Sequence, residues 1–355
     1  MASKVRVGVI GAGWPAWQHM KGYQKVDGVE VVALCDVNEA RLQGIADEYG
    51  VPKRYVSYED MLQKEQPDAV SVCTPNALHS EMSIACMRAG AHVLCEKPMA
   101  ASSEQARAMI DARDETGRLF MMGYMRRFGG EPRLLKRYIE KGRLGGIYFA
   151  RTWTRRRHFI PGMGGWFTQK KLSGGGVLID MGVHLLDLTL WLMGYPEVAE
   201  VCGASGSTFG SRGLGYHGTP VRQPDGSVLF DVDDYASAIV KFANGATLLF
   251  HGSWASHIKH DESSLELWGE TAGARLNPLE LYTAEDGVLQ DIVPQTPKVN
   301  LFEAETAHFI ECVRSGAQPM ATAEEGLRTV ELIERIYESS ENGPAWQGGR
   351  EPAKR

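Results

Sequence analysis

Along residues 5–122, short apolar runs alternate with stretches in which apolar residues recur every three or four positions. VRVGVI (5–10), EVVALC (30–35), DAVSVC (68–73), AHVLCE (91–96) and RLFMMG (118–123) are apolar on both faces of an extended chain. That pattern predicts strands buried on both sides. Between them the helical period predicts helices near 16–25, 39–49, 58–64, 77–89 and 103–116. Strands covered by helices on both faces form a doubly wound parallel sheet, so the expected first domain is α/β and spans residues 1–125.

Beyond residue 125 the pattern changes. A helical stretch (131–141) leads to the extended run GGIYFARTWTRRRHF (145–159), and later runs near 197–204, 231–242, 246–254 and 264–268 alternate as strands do. Asn244-Gly245 between two of these is a hairpin signal. Amphipathic patterns at 301–314 and 322–340 predict closing helices. The expectation is an α+β domain over 126–345, with an open, mostly antiparallel sheet, and a flexible tail at 346–355.

One segment departs from ordinary amphipathicity. After Gly174-Gly175-Gly176 a long helix is expected, apolar nearly all round. At 100° per residue its polar exceptions, Asp180, His184 and Asp187, fall with Trp191 within an arc of roughly 60°. A helix buried on all sides must turn such a stripe towards partners or a ligand. His184 is therefore a candidate general base, since imidazole titrates near working pH. Asp180, one turn earlier, is expected to orient the ring. A metal held by Asp180 and His184 is not expected, because no third ligand is evident.

Composition narrows the classes. The chain has 355 residues, 43% hydrophobic and 23% charged, with a net charge of −6. This is an ordinary globular composition with no electrostatic pull towards nucleic acid or anionic membranes. The short basic-aromatic run at 153–159 reads as a substrate loop or sheet edge in such an acidic protein. Six cysteines show no CxxC spacing and read as free thiols. With no apolar signal region and no stretch of 18 uncharged apolar residues, the protein is expected to be cytoplasmic and off the membrane.

The first strand runs into Gly11-Ala12-Gly13-Trp14-Pro15-Ala16 and a helix. This is where a pyrophosphate loop belongs: Gly11 for the turn, Gly13 for close approach, Trp14 at the helix start, Ala16 for packing. Asp36 ends the second strand, placed to grip a ribose 2′-OH, which favours NAD and leaves NADP possible. Thr74, Asn76 and His79 follow the strand at 68–73 and are candidates for ribose or phosphate. Asn76 is also a candidate helix cap. Glu96-Lys97-Pro98 ends the next strand at the same edge, where the Lys97 ammonium would stabilise a developing alkoxide.

Together, the glycine loop, Thr74-Pro-Asn76-x-x-His79, Glu96-Lys97-Pro98, Gly-Tyr-x-Arg-Arg127-Phe and Gly-Gly-x-Leu-x-Asp180-x-Gly-x-His184-x-x-Asp187 resemble the glucose–fructose oxidoreductase, inositol dehydrogenase and MocA family (Gfo/Idh/MocA). The resemblance implies a catalytic group of Lys97, Asp180 and His184, and a cofactor site that includes Glu96. It implies a substrate pocket lined by Arg127 and Asp187, and homodimers or homotetramers built on the C-terminal sheet. Family substrates are pyranoses, cyclitols and glycosides. The run carrying Arg156 and His158 is similar to that of members oxidising C3. The resemblance also keeps open a redox-assisted glycosidase and a non-catalytic sugar-sensing regulator.

Overall fold

The computed structural model describes residues 4–343, so the expected tail at 346–355 lies outside the described residues. The first sheet contains β1 (Val5–Ile10), β2 (Val29–Cys35), β3 (Lys53–Tyr55), β4 (Ala69–Val72), β5 (His92–Glu96) and β6 (Phe120–Gly123). Their order is β3-β2-β1-β4-β5-β6, and every pair is parallel. Helices α1 (Trp14–Tyr23), α2 (Glu39–Tyr49), α3 (Tyr58–Glu65), α4 (His79–Arg88) and α5 (Ser103–Thr116) connect the strands. Side-chain caps start several of them: Asn38, Ser57 and Ser102 each accept an N–H from the first turn. The sequence pattern did not reveal β3. It is three residues long and largely exposed, too short to show a period.

The second sheet has eight strands in the order β14-β13-β12-β11-β7-β10-β9-β8. They are β7 (Ile147–Arg155), β8 (Val198–Gly206), β9 (Tyr235–Phe242), β10 (Thr247–Ser253), β11 (Glu262–Gly269), β12 (Ala272–Leu276), β13 (Glu280–Glu285) and β14 (Val288–Ile292). Only β7 and β10 pair in parallel; the other pairs are antiparallel. One face packs on α8 (Val183–Met193) and α10 (Ala323–Asn342). In β9 buried and exposed residues alternate strictly from Tyr235 to Val240, so the opposite face is bare. Strands β12 to β14 escaped the sequence pattern: β12 is only five residues long, and most of β14 is exposed on both faces.

Two features correct the expected helix after the glycines. A four-residue helix, α7 (Lys170–Ser173), precedes them, and a π-turn at Leu178–Gly182 precedes α8. The stretch Lys170–Met193 is long and apolar enough to cross a membrane by composition, yet 78% of its 18-residue apolar window is buried inside the fold. It is a core helix. Helix α6 (Gly130–Glu140) packs on the turn after β6, on α8 and on β12, α9 (Leu301–Ser315) lies on α1, and α10 also packs on α5.

Candidate active site at the carboxyl edge of the parallel sheet

The glycine turn, Asp36, Thr74, Asn76, Glu96, Lys97 and Arg127 lie at the carboxyl ends of β1, β2, β4, β5 and β6, the edge where open α/β sheets bind ligands, while Asp180 and His184 come from the π-turn and α8. Gly11 has φ +98°, and a Cβ there would stand 2.3 Å from the Cys73 carbonyl oxygen, so only glycine fits. At Gly13 a Cβ would meet nothing nearer than Pro15 Cδ at 3.7 Å, leaving open backbone at the start of α1. Trp14, 64% exposed, stands at that helix start and Ala16 is fully buried beneath it. Asp36 accepts the Ala12 N–H through Oδ2 and the Asn38 N–H through Oδ1, both at 2.6 Å. The Thr74 hydroxyl is buried with no partner. An open glycine turn at a helix N-terminus, a carboxylate beyond it and an orphaned hydroxyl between fit a dinucleotide. Gly11, Gly13, Trp14, Ala16, Asp36 and Thr74 are the residues that would hold it.

Three expected cofactor contacts turn inward instead. His79 is fully buried, with Nδ1 2.7 Å from the Pro98 carbonyl and Nε2 2.9 Å from that of Thr74. The ring staples two loops and has no nitrogen left for a ligand. Asn76 donates to the Ser173 carbonyl at 2.7 Å and so ties α7 to the sheet edge. Glu96 faces the core because neighbouring strand residues alternate sides. Its Oε1 lies 3.1 Å from His19 Nε2, and its Oε2 accepts the Lys97 N–H at 3.2 Å. Burial alone would raise this carboxyl, but the bonds to His19 and Lys97 hold it below the usual range.

Lys97 points the other way, into the cleft. Its Nζ donates to the Asp180 carbonyl (3.1 Å) and to Asp180 Oδ1 (3.2 Å), with about a fifth of each side chain exposed. Asp180 Oδ2 accepts from Trp254 Nε1 at 3.0 Å, and Trp254 is wholly buried. Asp180 therefore orients Lys97 and does not hold the His184 ring, contrary to the sequence expectation. The π-turn is the reason: its wider winding rotates Asp180 out of the i, i+4 relation that an α-helix would have imposed. His184 Nδ1 is buried without a partner. Burial first, then the charges of Lys97 and Arg126, hold its imidazole well below its ordinary range, so the ring is neutral at neutral pH.

The Arg127–Asp187 pair is also corrected. Arg127 is 0% exposed, bonded through Nε and a terminal nitrogen to both Asp187 oxygens (3.0 and 2.5 Å), with further bonds to Glu325, Tyr195 and the Met320 carbonyl. It joins the turn after β6 to α8 and α10 and lines no pocket.

Residues 5–124 match the family described as "Oxidoreductase family, NAD-binding Rossmann fold", and residues 133–275 match "GFO/IDH/MocA C-terminal domain". The chain is 33% identical to D-glucoside 3-dehydrogenase of Escherichia coli (strain K12), across 96% of this chain and 97% of that protein. The chain belongs to the Gfo/Idh/MocA oxidoreductase family. It is 28% identical to scyllo-inositol 2-dehydrogenase (NAD(+)) of Bacillus subtilis (strain 168), across 97% and 96% of the two chains. Among solved structures, levoglucosan dehydrogenase in complex with NADH and levoglucosan shares the fold, with a TM-score of 0.83 at 22% identity over 96% of this chain and 98% of that one.

In this Gfo/Idh/MocA enzyme the cleft arginine that sequence reasoning passed over is Arg126. The tight turn at Met125–Phe128 sends adjacent arginines opposite ways, one into the core and one half-buried towards His184 and Asp180. A turn advancing about 120° per residue was the available signal. Trp254 was missed because an indole in an apolar strand reads as packing. Arg156 sits over the Phe159 ring at 4.3 Å, and its charge bears on Arg126. His158 is exposed, 4.0 Å from the His217 ring, in a segment tied to Trp254 through the Phe159 N–H.

Proposed function

We propose that this oxidoreductase moves a hydride between nicotinamide and a secondary hydroxyl or ketone of a sugar, glycoside or cyclitol, with C3 of a pyranose as the position. The observation that carries the reading is Lys97 held by Asp180 beside a neutral His184, at the sheet edge that carries the glycine turn. The nicotinamide, when bound, supplies the hydride acceptor. Lys97 spends two donors on Asp180, and its third is available to an oxygen in the cleft. The neutral His184 ring takes the hydroxyl proton, and the Lys97 ammonium opposes the negative charge that develops on that oxygen. Arg126, Arg156 and His158 are the substrate-side polar groups.

The relatives named for glucosides and inositols support a polyhydroxylated ring as substrate. Asp36 supports NAD over NADP, because a 2′-phosphate would meet a carboxylate. The bare face of the second sheet, with Ile239 40% and Trp268 45% exposed, supports a homodimer or homotetramer. The free, mostly buried thiols fit a cytoplasmic setting.

A screen of monosaccharides, inositols and glycosides with NAD and NADP, read as absorbance of reduced cofactor, tests the proposal. Reduction with NAD on at least one pyranoside or cyclitol is expected, and no turnover on any of them defeats it. Glycoside cleavage without net reduced cofactor would instead indicate a redox-assisted glycosidase.

A further inference from the structure

Beneath the cleft, on the core side of β5, lies a polar cluster that the chemistry above does not use. His19 and Tyr23 come from α1, Ser71 from β4, Glu96 from β5 and Glu305 from α9. His19 and Glu305 are 0% exposed, Tyr23 2% and Glu96 6%. Tyr23 Oη lies 2.6 Å from Ser71 Oγ, Ser71 Oγ 3.0 Å from His19 Nδ1, and His19 Nε2 3.1 Å from Glu96 Oε1. With Glu96 ionised, one direction satisfies the chain: Tyr23 donates to Ser71, Ser71 to His19, and His19 to Glu96. The second Glu96 oxygen accepts the Lys97 N–H.

Every donor in the cluster is then used, and none reaches Glu305. Neither of its oxygens has a partner; His19 Nε2 stands 3.9 Å away and is engaged with Glu96. An unpaired carboxylate in a closed interior, beside a second carboxylate, is prohibitive. A neutral acid is not.

We propose that Glu305 is carried as a neutral carboxylic acid and acts, through Glu96, as a positioning residue for Lys97. The pair Glu96/Glu305 holds one proton. Burial first, then the Glu96 charge, hold the Glu305 carboxyl well above its usual range, in agreement. The titratable groups facing it are His19, Tyr23, Cys73 and Glu96. Ionising Glu305 would set a second negative charge against the first and draw the His19 N–H from Glu96. Glu96 would then lose its grip on the backbone of Lys97.

The positioning role rests on Lys97 acting at the reacting oxygen; the proton on Glu305 does not. Infrared difference spectra of the full-length protein, wild type minus Glu305→Gln, read that proton without turnover. The carbonyl stretch of a protonated carboxyl is expected at neutral pH in wild type and absent from the variant. In turnover, Glu96→Gln is expected to lower kcat by about tenfold or more, kcat falling more than KM rises. Glu305→Gln, which cannot ionise, is expected to move the alkaline limb of kcat upwards by about one pH unit or more. A missing carboxyl band overturns the proposal. So does an equimolar divalent metal lost in Glu305→Gln, since His19, Glu96 and Glu305 offer ligand atoms within 4.8 Å of one another. An alkaline limb that stays in place overturns the positioning role. If Lys97→Ala turns over normally while the band is present, the functional reading fails and the buried proton stands.

Discussion

Asp187 shows how a side chain chosen for chemistry can serve packing. Its two oxygens are filled by a guanidinium that never meets solvent. Removing one partner of a buried pair strands the other, at a cost of about 3–5 kcal/mol. Asp187→Ala is therefore expected to lose stability of that order in denaturant unfolding, while KM for the sugar stays near wild type in protein that remains folded. A KM raised tenfold at unchanged stability would return Asp187 to the pocket. His184 makes the opposite case. Unfolded, its imidazole takes a proton near its ordinary pKa of about 6.5. In the fold it remains neutral to well below that value. Between the two, the unfolded chain binds more protons, so stability rises with pH and is lost as pH falls. His184→Asn is expected to lose less stability than wild type on acidification from about pH 7 to 5, measured by urea unfolding. The acid limb of kcat/KM should likewise lie below about 6.5. At this scale residue types and strand ends were legible, which sufficed to find Lys97 and the glycine turn. It could not show which way Glu96, His79 or Arg127 points, because alternation and burial depend on neighbours distant in the chain.

Among the elements, the segment from α7 to α8 carries most of the site. Asp233 accepts the Gly176 and Leu178 N–H groups at 2.7 and 3.0 Å, anchoring the chain where the π-turn begins. A Cβ on Gly176 would lie 1.8 Å from the Asp233 carbonyl oxygen. Backbone cannot yield by that much, so Gly176→Ala is expected to cost about 3 kcal/mol or more. It should also shift Asp180 off Lys97. A lowered melting temperature together with lost turnover is the expected pair of readouts, and a fully stable Gly176→Ala would show that the anchor is dispensable. The polar stripe here was legible as a stripe. Its phase was not, since a single wide turn leaves no trace in hydrophobic periodicity yet reassigns Asp180 from the histidine to the lysine.

For the molecule as a whole, the parallel sheet was readable because strands buried on both faces announce themselves in composition. The outermost strand of the second sheet, β14, was not, since an edge exposed on both faces has no apolar period to detect. The same sheet's bare face yields a prediction about assembly. Ile239→Lys combined with Trp268→Glu is expected to reduce the molecular mass measured by light scattering towards that of a single 39.1 kDa chain. An oligomer undisturbed by both charges would place the interface elsewhere.

The path of the last two helices has a practical outcome. Because α9 covers α1 and α10 rests on α5, the dinucleotide half is completed by residues nearly two hundred positions downstream of its final strand. A fragment stopping near residue 125 would expose the flanks of both helices and leave His19 without its lid. Such a piece should come out of cells as aggregate, and any attempt to graft the nucleotide module onto another catalytic half would have to carry the chain's closing helices with it.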